Sequence, residues 1–382
     1  MVEDLAGGTL PMPASQSPRV VHLETSVYRI PTDRPEADGT ISWDATTMVL
    51  VEAVADSGER GLGYSYASAT AAGVVNEHLQ DAVVGTPVDE VGAAWRGMVD
   101  AVRNVGRPGI AATAISAVDI ALWDLKARHA GQALFRHLGP YRDEVPIYGS
   151  GGFTTYTEGE LAEQLGNWVA ESIPAVKMKI GKDWGTRPKD DVHRVRVARQ
   201  AIGPDTALMV DANGAYTVKE AIDQAQRFAE LDVDWFEEPV SSDQLEQMAF
   251  VRQHVSMAVA AGEYGYDPWY FRDMLRAGAV DVLQADATRC LGVTGFLQAA
   301  ALAQGFALPL SAHTAPAIHA QVGCAAARLI NVEYFYDHAR IENMLFDGLP
   351  ERVGGCLRPD PALPGLGIEL KRADAERWRI GA

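Results

Sequence analysis

Seven short runs decide how this chain folds: AVKMKIG (175–181), ALMVDANG (207–214), WFEEP (235–239), AVAAGE (258–263), VDVLQAD (280–286), ALPLSAH (307–313) and NVEYF (331–335). Each is a few apolar residues closing on groups able to do chemistry: Lys177 and Lys179, Asp211 and Asn213, then Glu237, Glu263, Asp286, His313 and Glu333. From Lys179 onward the intervals are 32, 26, 26, 23, 27 and 20 residues, about one strand plus one helix each. Parallel strands carrying a charge at their C-terminal ends, joined by helices, build an active site on one rim of a (β/α) barrel. Strands are expected to begin near 145, 175, 207, 235, 258, 280, 307 and 331, with seven helices between them. The intervening segments agree: TVKEAIDQAQRFAELD (217–232) and SDQLEQMAFVRQHV (242–255) have helical periodicity with polar starts.

Outward from the barrel, the N-terminal part reads differently. RVVHLETSVYRI (19–30) and TTMVLVEAVADSGERGLG (46–63) alternate apolar and polar residues, the second through a DSG turn, so a small antiparallel sheet is expected. Between them PTDRPEADGTISWD (31–44) reads as a polar loop. Residues 71–139 read as helices, most clearly AATAISAVDIALWDLKARHAG (111–131), with Asp119 and Asp124 as polar-face or capping residues. After Tyr336 no further barrel helix is expected; a Gly- and Pro-rich tail leads to LGIELKR (366–372) and back to the N-terminal domain. The division is a mobile tail at 1–17, an α+β domain at 18–140, a barrel at 141–345 and a returning segment at 346–382.

Composition narrows the partners. With 47% hydrophobic and 22% charged residues, 382 residues suffice for a large core. A net charge of −18 argues against nucleic acid and anionic membranes, which need clustered Lys and Arg. There is no run of 18 apolar residues, and the N-terminus lacks the apolar stretch of a secretory signal. Cys290, Cys324 and Cys356 are far apart and odd in number, which suits structural thiols in a reducing cytosol.

The polar groups sort into roles. Lys177 and Lys179, two apart on a strand, point the same way. Held close, two ammonium groups lower each other's pKa towards the 7–8 useful to a general base, from about 10.4. The structural alternative is a pair of lysines matched to carboxylates opposite. Asp211, Glu237 and Glu263 come from consecutive strand ends; three converging carboxylates need a cation, and an oxygen-only set suits Mg2+. Asn213 shares the face of Asp211 and reaches towards a metal water or the substrate. Glu238 should face away from the centre. Asp286 and His313 form a candidate dyad, the carboxylate setting the imidazole tautomer for proton transfer. His319 and His338 lack such a partner and read as structural. Glu333, if protonated, could hydrogen-bond a substrate carboxylate. Together these parts would remove the proton α to a carboxylate, with a base on each face and a metal opposite the developing enediolate charge.

As an ordered set, VKMKIG, VDANGAY, WFEEPV, AAGE, LQADATRCLGVTGF, PLSAH and NVEYF closely resemble the enolase superfamily, in particular its mandelate racemase-like subgroup. The superfamily's Lys or His base acting with Mg2+ is a known pattern. The resemblance spans nearly the whole chain. It implies an α/β fold, a (β/α)7β modified TIM barrel with an N-terminal α+β capping domain completed by the C-terminal segment. It implies Lys179 and the Asp286–His313 dyad as acid/base groups, and Asp211, Glu237 and Glu263 as Mg2+ ligands. Lys177 would bind the substrate carboxylate with help from Glu333. It also implies a small carboxylate substrate and a cytoplasmic homo-oligomer, octamers being common. The reaction expected is dehydration of a sugar acid to a 2-keto-3-deoxy acid. The alternatives are a racemase or epimerase using the same residues, and a non-catalytic metabolite-binding barrel. Specificity would come from capping loops near 31–45 and 64–70, with Arg34, Trp43, Tyr66 and Arg107 as contacts to consider. Arg340 and Glu342 have no role in this reading.

Overall fold

The computed structural model describes residues 17–381. The tail expected at 1–17 therefore lies, but for its last residue, outside the described residues. Strands β1 (Val20–Ala37), β2 (Ser42–Ala55) and β3 (Arg60–Tyr66) form an antiparallel sheet, joined by Arg379–Gly381 on the far side of β1. Their alternation serves two cores. Tyr28, Ile30, Met48, Leu50 and Tyr64 belong to a core shared with the barrel, while Leu23, Val27, Val49 and Val51 belong to one shared with the N-terminal helices.

Helix Ile110–His129 lies between these parts and is buried nearly all round, not on one face. Its small residues are the reason. A Cβ on Gly63 of β3 would come within 2.2 Å of the Ala117 carbonyl, so strand and helix backbones touch. Asp119 and Asp124 are accordingly not polar-face residues. Asp119 accepts hydrogen bonds from the Thr294 amide (2.9 Å) and hydroxyl (2.7 Å) at the start of helix Gly292–Gly305. Asp124 receives the amides of Leu62 (2.7 Å) and Leu366 (2.5 Å) and pairs with Arg128 (2.7 Å).

The barrel consists of β4 (Val145–Gly151), β5 (Ala175–Lys179), β6 (Ala207–Asp211), β7 (Val233–Glu237), β8 (Ala258–Ala261), β9 (Val282–Ala285), β10 (Leu310–Ala312) and β11 (Leu329–Phe335). These eight strands pair in parallel in sequence order, and β11 closes on β4. Seven helices lie between them.

Two expectations are corrected. The stretch 31–44 is a β-hairpin rather than a loop, since β1 and β2 continue through it to a turn at residues 38–41. A helix, Tyr336–Leu345, follows β11 where none was expected. Asp337, His338 and Glu342 are buried on it beside Ala339, Ile341 and Leu345, and these polar residues hid its period. Glu342 accepts from the Tyr64 hydroxyl (2.6 Å) and the Ala317 amide (3.0 Å), and Arg340 pairs with Asp337 and donates to the Pro31 carbonyl (2.8 Å). Arg340 and Glu342 thus fasten the N-terminal domain to the barrel. In the C-terminal segment, Cys356–Arg358 pairs with β4 and Arg379–Gly381 with β1, so it binds to both domains. The three cysteines are free, two of them buried.

Candidate active site

Register brings the charges to one rim. Lys179 is directly opposite Asp211, and Asp211 directly opposite Glu237, at the C-terminal ends of β5, β6 and β7. Glu263, Asp286 and His313 follow within two residues of the ends of β8, β9 and β10, and Glu333 lies within β11. All seven are buried.

One oxygen each from Asp211, Glu237 and Glu263 lies within 4.8 Å of the others. Three buried carboxylates this close would repel one another unless a cation lay among them, and an oxygen-only set of this kind would suit Mg2+. Glu263 Oε2 is buried without a hydrogen-bond partner, the free valence such an ion would use. Glu237 Oε2 is oriented by Trp235 (3.1 Å) and Gln284 (2.8 Å). The residues present fit a divalent cation.

The lysines meet these carboxylates. Lys179 Nζ bonds Asp211, and Lys177 Nζ bonds Glu237 (2.5 Å) and Glu333 (2.8 Å). Mutual depression of the two ammonium groups does not dominate. Burial works to lower both, but Asp211 holds Lys179 above its usual value and Glu237 and Glu333 hold Lys177 well above. Lys177 lies under the cavity floor, whereas Lys179 reaches the cavity.

Burial opposes ionisation of Glu333 also, yet Lys177 outweighs it and keeps the carboxyl well below the usual range. Glu333 is therefore a carboxylate acceptor, receiving Ser150 (2.5 Å) and the Thr314 amide (3.1 Å), rather than the protonated donor expected.

On the other side, His313 Nδ1 lies 2.9 Å from Asp286 Oδ2. That carboxylate is further held by the Thr288 amide and hydroxyl, both 2.7 Å from Oδ1. Although burial raises it, the bond to His313 leaves Asp286 well below the ordinary range. Nε2 of His313 is left facing the cavity, 3.4 Å from Glu263 Oε2. His319 is satisfied by the Thr314 carbonyl (2.7 Å) and the Ala287 amide (2.9 Å), as a structural residue should be.

A cavity of about 230 Å³ opens on this rim, lined by Lys179, Asn213, Glu263, His313 and Glu333. Asn213 lies past the end of β6 with φ of 46°, so the turn rather than strand alternation aims it. Glu238 does not point into this cavity, but it lines an adjoining crevice with Asn213 and Tyr264. Of the capping-loop contacts considered, Trp43 lines the cavity and Tyr66 stacks on His338, which lines it (centroids 3.5 Å). Arg34 and Arg107 do neither, being engaged by Glu160 (2.8 Å) and Asp267 (2.9 Å). Sequence reasoning missed Asp38, Ile41, Thr46, Tyr264, Arg289, Thr314 and Phe335, and read His338 as structural only. The Asp38–Gly39 turn signal was the one local clue.

The hairpin tip is seated firmly. A Cβ on Gly39 would fall 2.7–2.9 Å from the carbonyl oxygens of Ile180, Ala212 and Gly181, so the tip backbone rests on the ends of β5 and β6. Thr154 donates to the Asp38 carbonyl (2.7 Å).

A closed barrel with a carboxylate triad, a lysine and an Asp–His pair on one rim, covered by a capping domain, defines a metal-assisted acid/base enzyme. Comparison with known proteins agrees. Residues 24–139 match the mandelate racemase / muconate lactonizing enzyme N-terminal domain, and residues 160–375 the enolase C-terminal domain-like family. The chain belongs to the mandelate racemase / muconate lactonizing enzyme family of the enolase superfamily, and is an enzyme of the lyase or isomerase class.

It is 32% identical over 380 residues to D-galactarolactone cycloisomerase of Agrobacterium fabrum, covering 95% of this chain and 99% of that one. It is 31% identical to 3,6-anhydro-alpha-L-galactonate cycloisomerase of Streptomyces coelicolor, with 95% and 100% covered. Relatives at 27–29% identity include dehydratases of arabinonate, D-gluconate, L-rhamnonate and L-talarate/galactarate. Among solved structures, a mandelate racemase/muconate lactonizing enzyme-like protein of Rubrobacter xylanophilus superposes with a TM-score of 0.92 at 49% identity, covering 95% of this chain and all of that one. A racemase of S. coelicolor with bound magnesium gives 0.89 at 30% identity, with 94% and 100% covered.

Proposed function

We propose that the protein removes the proton α to the carboxylate of an acid sugar and eliminates the oxygen on the β-carbon, giving a 2-keto-3-deoxy acid. The observation that carries this is the pairing of Lys179 with the Asp286–His313 dyad on either side of one carboxylate triad. Asp211, Glu237 and Glu263 would hold Mg2+, which when bound supplies an electrophile beside the substrate carboxylate. Lys179 in its neutral form takes the α-proton. The electron pair left on carbon forms the double bond as the β C–O bond breaks. His313, oriented by Asp286, gives a proton from Nε2 to the departing oxygen. The enol then tautomerises to the ketone.

A second outcome of the same electron flow is favoured by the relatives' names. When the β-oxygen belongs to a ring, as in a 3,6-anhydro acid, its departure opens the ring without loss of water and the product is an isomer. Dehydration of an open-chain acid and opening of a cyclic one therefore need the same groups. Epimerisation would use them too, with reprotonation on the opposite face.

One experiment separates these outcomes: incubation of the Mg2+-loaded protein with a panel of acid sugars and their cyclic ethers in D2O. A semicarbazide-reactive product that has lost the elements of water indicates dehydration, and one that retains them indicates ring opening. Deuterium uptake with inversion and no ketone would replace elimination by epimerisation. No ketone and no deuterium uptake anywhere in the panel would overturn the proposal.

A further inference from the structure

The relatives' names span two kinds of substrate, acids with one carboxylate (gluconate, arabinonate) and acids with one at each end (galactarate). The cavity distinguishes these by its charge. Its barrel side carries the groups described above. Its outer wall consists of Asp38, Ile41, Trp43, Ala45 and Thr46 from the hairpin, with Phe335 and His338.

Among the described residues, only Lys179 and Arg289 bring a permanent cation to the lining, and both are already engaged. Lys179 bonds Asp211; Arg289 lies 3.3 Å from Glu263 and 3.6 Å from Asp286. Residues 1–16 contain no Lys, Arg or His that could add one. The outer wall instead presents a carboxylate. Asp38 Oδ1 receives the amides of Thr40 (2.5 Å) and Ile41 (2.8 Å) and the Thr40 hydroxyl (3.0 Å), while Oδ2 takes no bond from the chain. The seating of Gly39 and the Thr154 bond hold this carboxylate in place.

His338 completes the wall. Its Nδ1 accepts the Ala315 amide (3.4 Å), which puts the ring proton on Nε2. Burial, reinforced by His313 nearby, keeps the imidazole well below its usual pKa and so uncharged. An anionic acceptor and a neutral donor suit hydroxyl groups, whereas a second carboxylate would meet a like charge with no free cation to offset it.

We infer that the substrate is a mono-acid with an uncharged polyol or cyclic-ether end, and that Asp38 excludes di-acids. This rests on the elimination proposed above. The test compares kcat/KM for aldonates and aldarates of matching configuration, gluconate with glucarate and galactonate with galactarate, using the Mg2+-loaded full chain. α-Deuterium uptake is followed in parallel. The expected result is a preference of about 100-fold for the aldonate, carried mainly by KM. Asp38→Asn keeps the Oδ1 acceptor and removes the charge, and should cut that preference to about tenfold or less. Equal or better use of the aldarate, or a preference untouched by Asp38→Asn, overturns the inference and leaves elimination standing. Absence of both product and α-deuterium uptake with these acids and with the cyclic ethers of the panel above overturns elimination itself.

Discussion

His313 Nδ1 and Asp286 Oδ2 stand 2.9 Å apart, and the second oxygen of Asp286 is held by Thr288, so the imidazole is fixed in one tautomer with Nε2 towards the cavity. Asp286→Asn would offer His313 a group that can donate as well as accept, and the preferred tautomer would be lost. The expected loss in kcat is about 10²–10⁴-fold, by analogy with removing the charge from a carboxylate–imidazole pair elsewhere. Mg2+ affinity should be little changed; calorimetric titration alongside steady-state kinetics checks both.

Lys179 competes with any cation for Asp211. Lys179→Ala should abolish exchange of an α-proton accessible from its face, while Mg2+ binds as tightly as before or more so. NMR of the recovered acid after incubation in D2O reads the first effect and titration calorimetry the second. Wild-type exchange in this variant would make another residue the base.

Metal removal has a readout independent of turnover. EDTA should inactivate the protein and excess Mg2+ restore it. At 100 times its dissociation constant Mg2+ should add about 2.7 kcal/mol of stability, seen as a higher Tm. Glu263→Gln, which alters the ligand whose Oε2 has no partner in the chain, should remove most of that increment.

The hairpin tip offers a steric test. Gly39→Ala would place a methyl group 2.7–2.9 Å from three backbone carbonyls, so the tip must lift off β5 and β6. The expected cost is about 1–3 kcal/mol in stability, together with a rise in KM as the outer wall moves. Circular dichroism melts and kinetics on the same preparation check the two effects.

Glu36 gives stability a pH dependence. Burial, with Asp337 nearby, pushes its carboxyl up to about 8, and only one of its oxygens has a partner, Trp43 Nε1 at 2.9 Å. A carboxyl whose pKa is raised on folding binds its proton more tightly in the native state. Its contribution is complete below the unfolded value near 4.5 and is lost as pH rises through about 8. Tm should therefore fall over that window, and Glu36→Gln should flatten the fall. An unchanged slope in the variant would exclude Glu36 as its source.

The barrel strands were legible because each buried strand is a short apolar run and each rim residue except Glu333 ends or closely follows one; the same spacing that marks a βα unit numbers the rim. Helix Tyr336–Leu345 was not legible, because Asp337, His338 and Glu342 share its buried face with Ala339, Ile341 and Leu345, and periodicity counts only apolar residues as buried. Asp119 and Asp124 are non-catalytic as expected, but they are buried rather than on a polar face, because Thr294, Leu62 and Leu366, whose amides they receive, are remote in the chain.

The linear order of residues by itself determined the barrel, the rim and the identity of the groups on it, since strand alternation and βα spacing are local properties. Tertiary structure decided their electrical state and their company. Local sequence suggested two lysines lowering each other; folding placed carboxylates opposite both and raised them instead. Likewise the Asp38 turn belongs to a polar stretch with no period, and only the packing of Gly39 onto β5 and β6 makes it the outer wall of the site. Electrostatic energy depends on distances between residues far apart in the chain, and those distances exist only once the fold has closed.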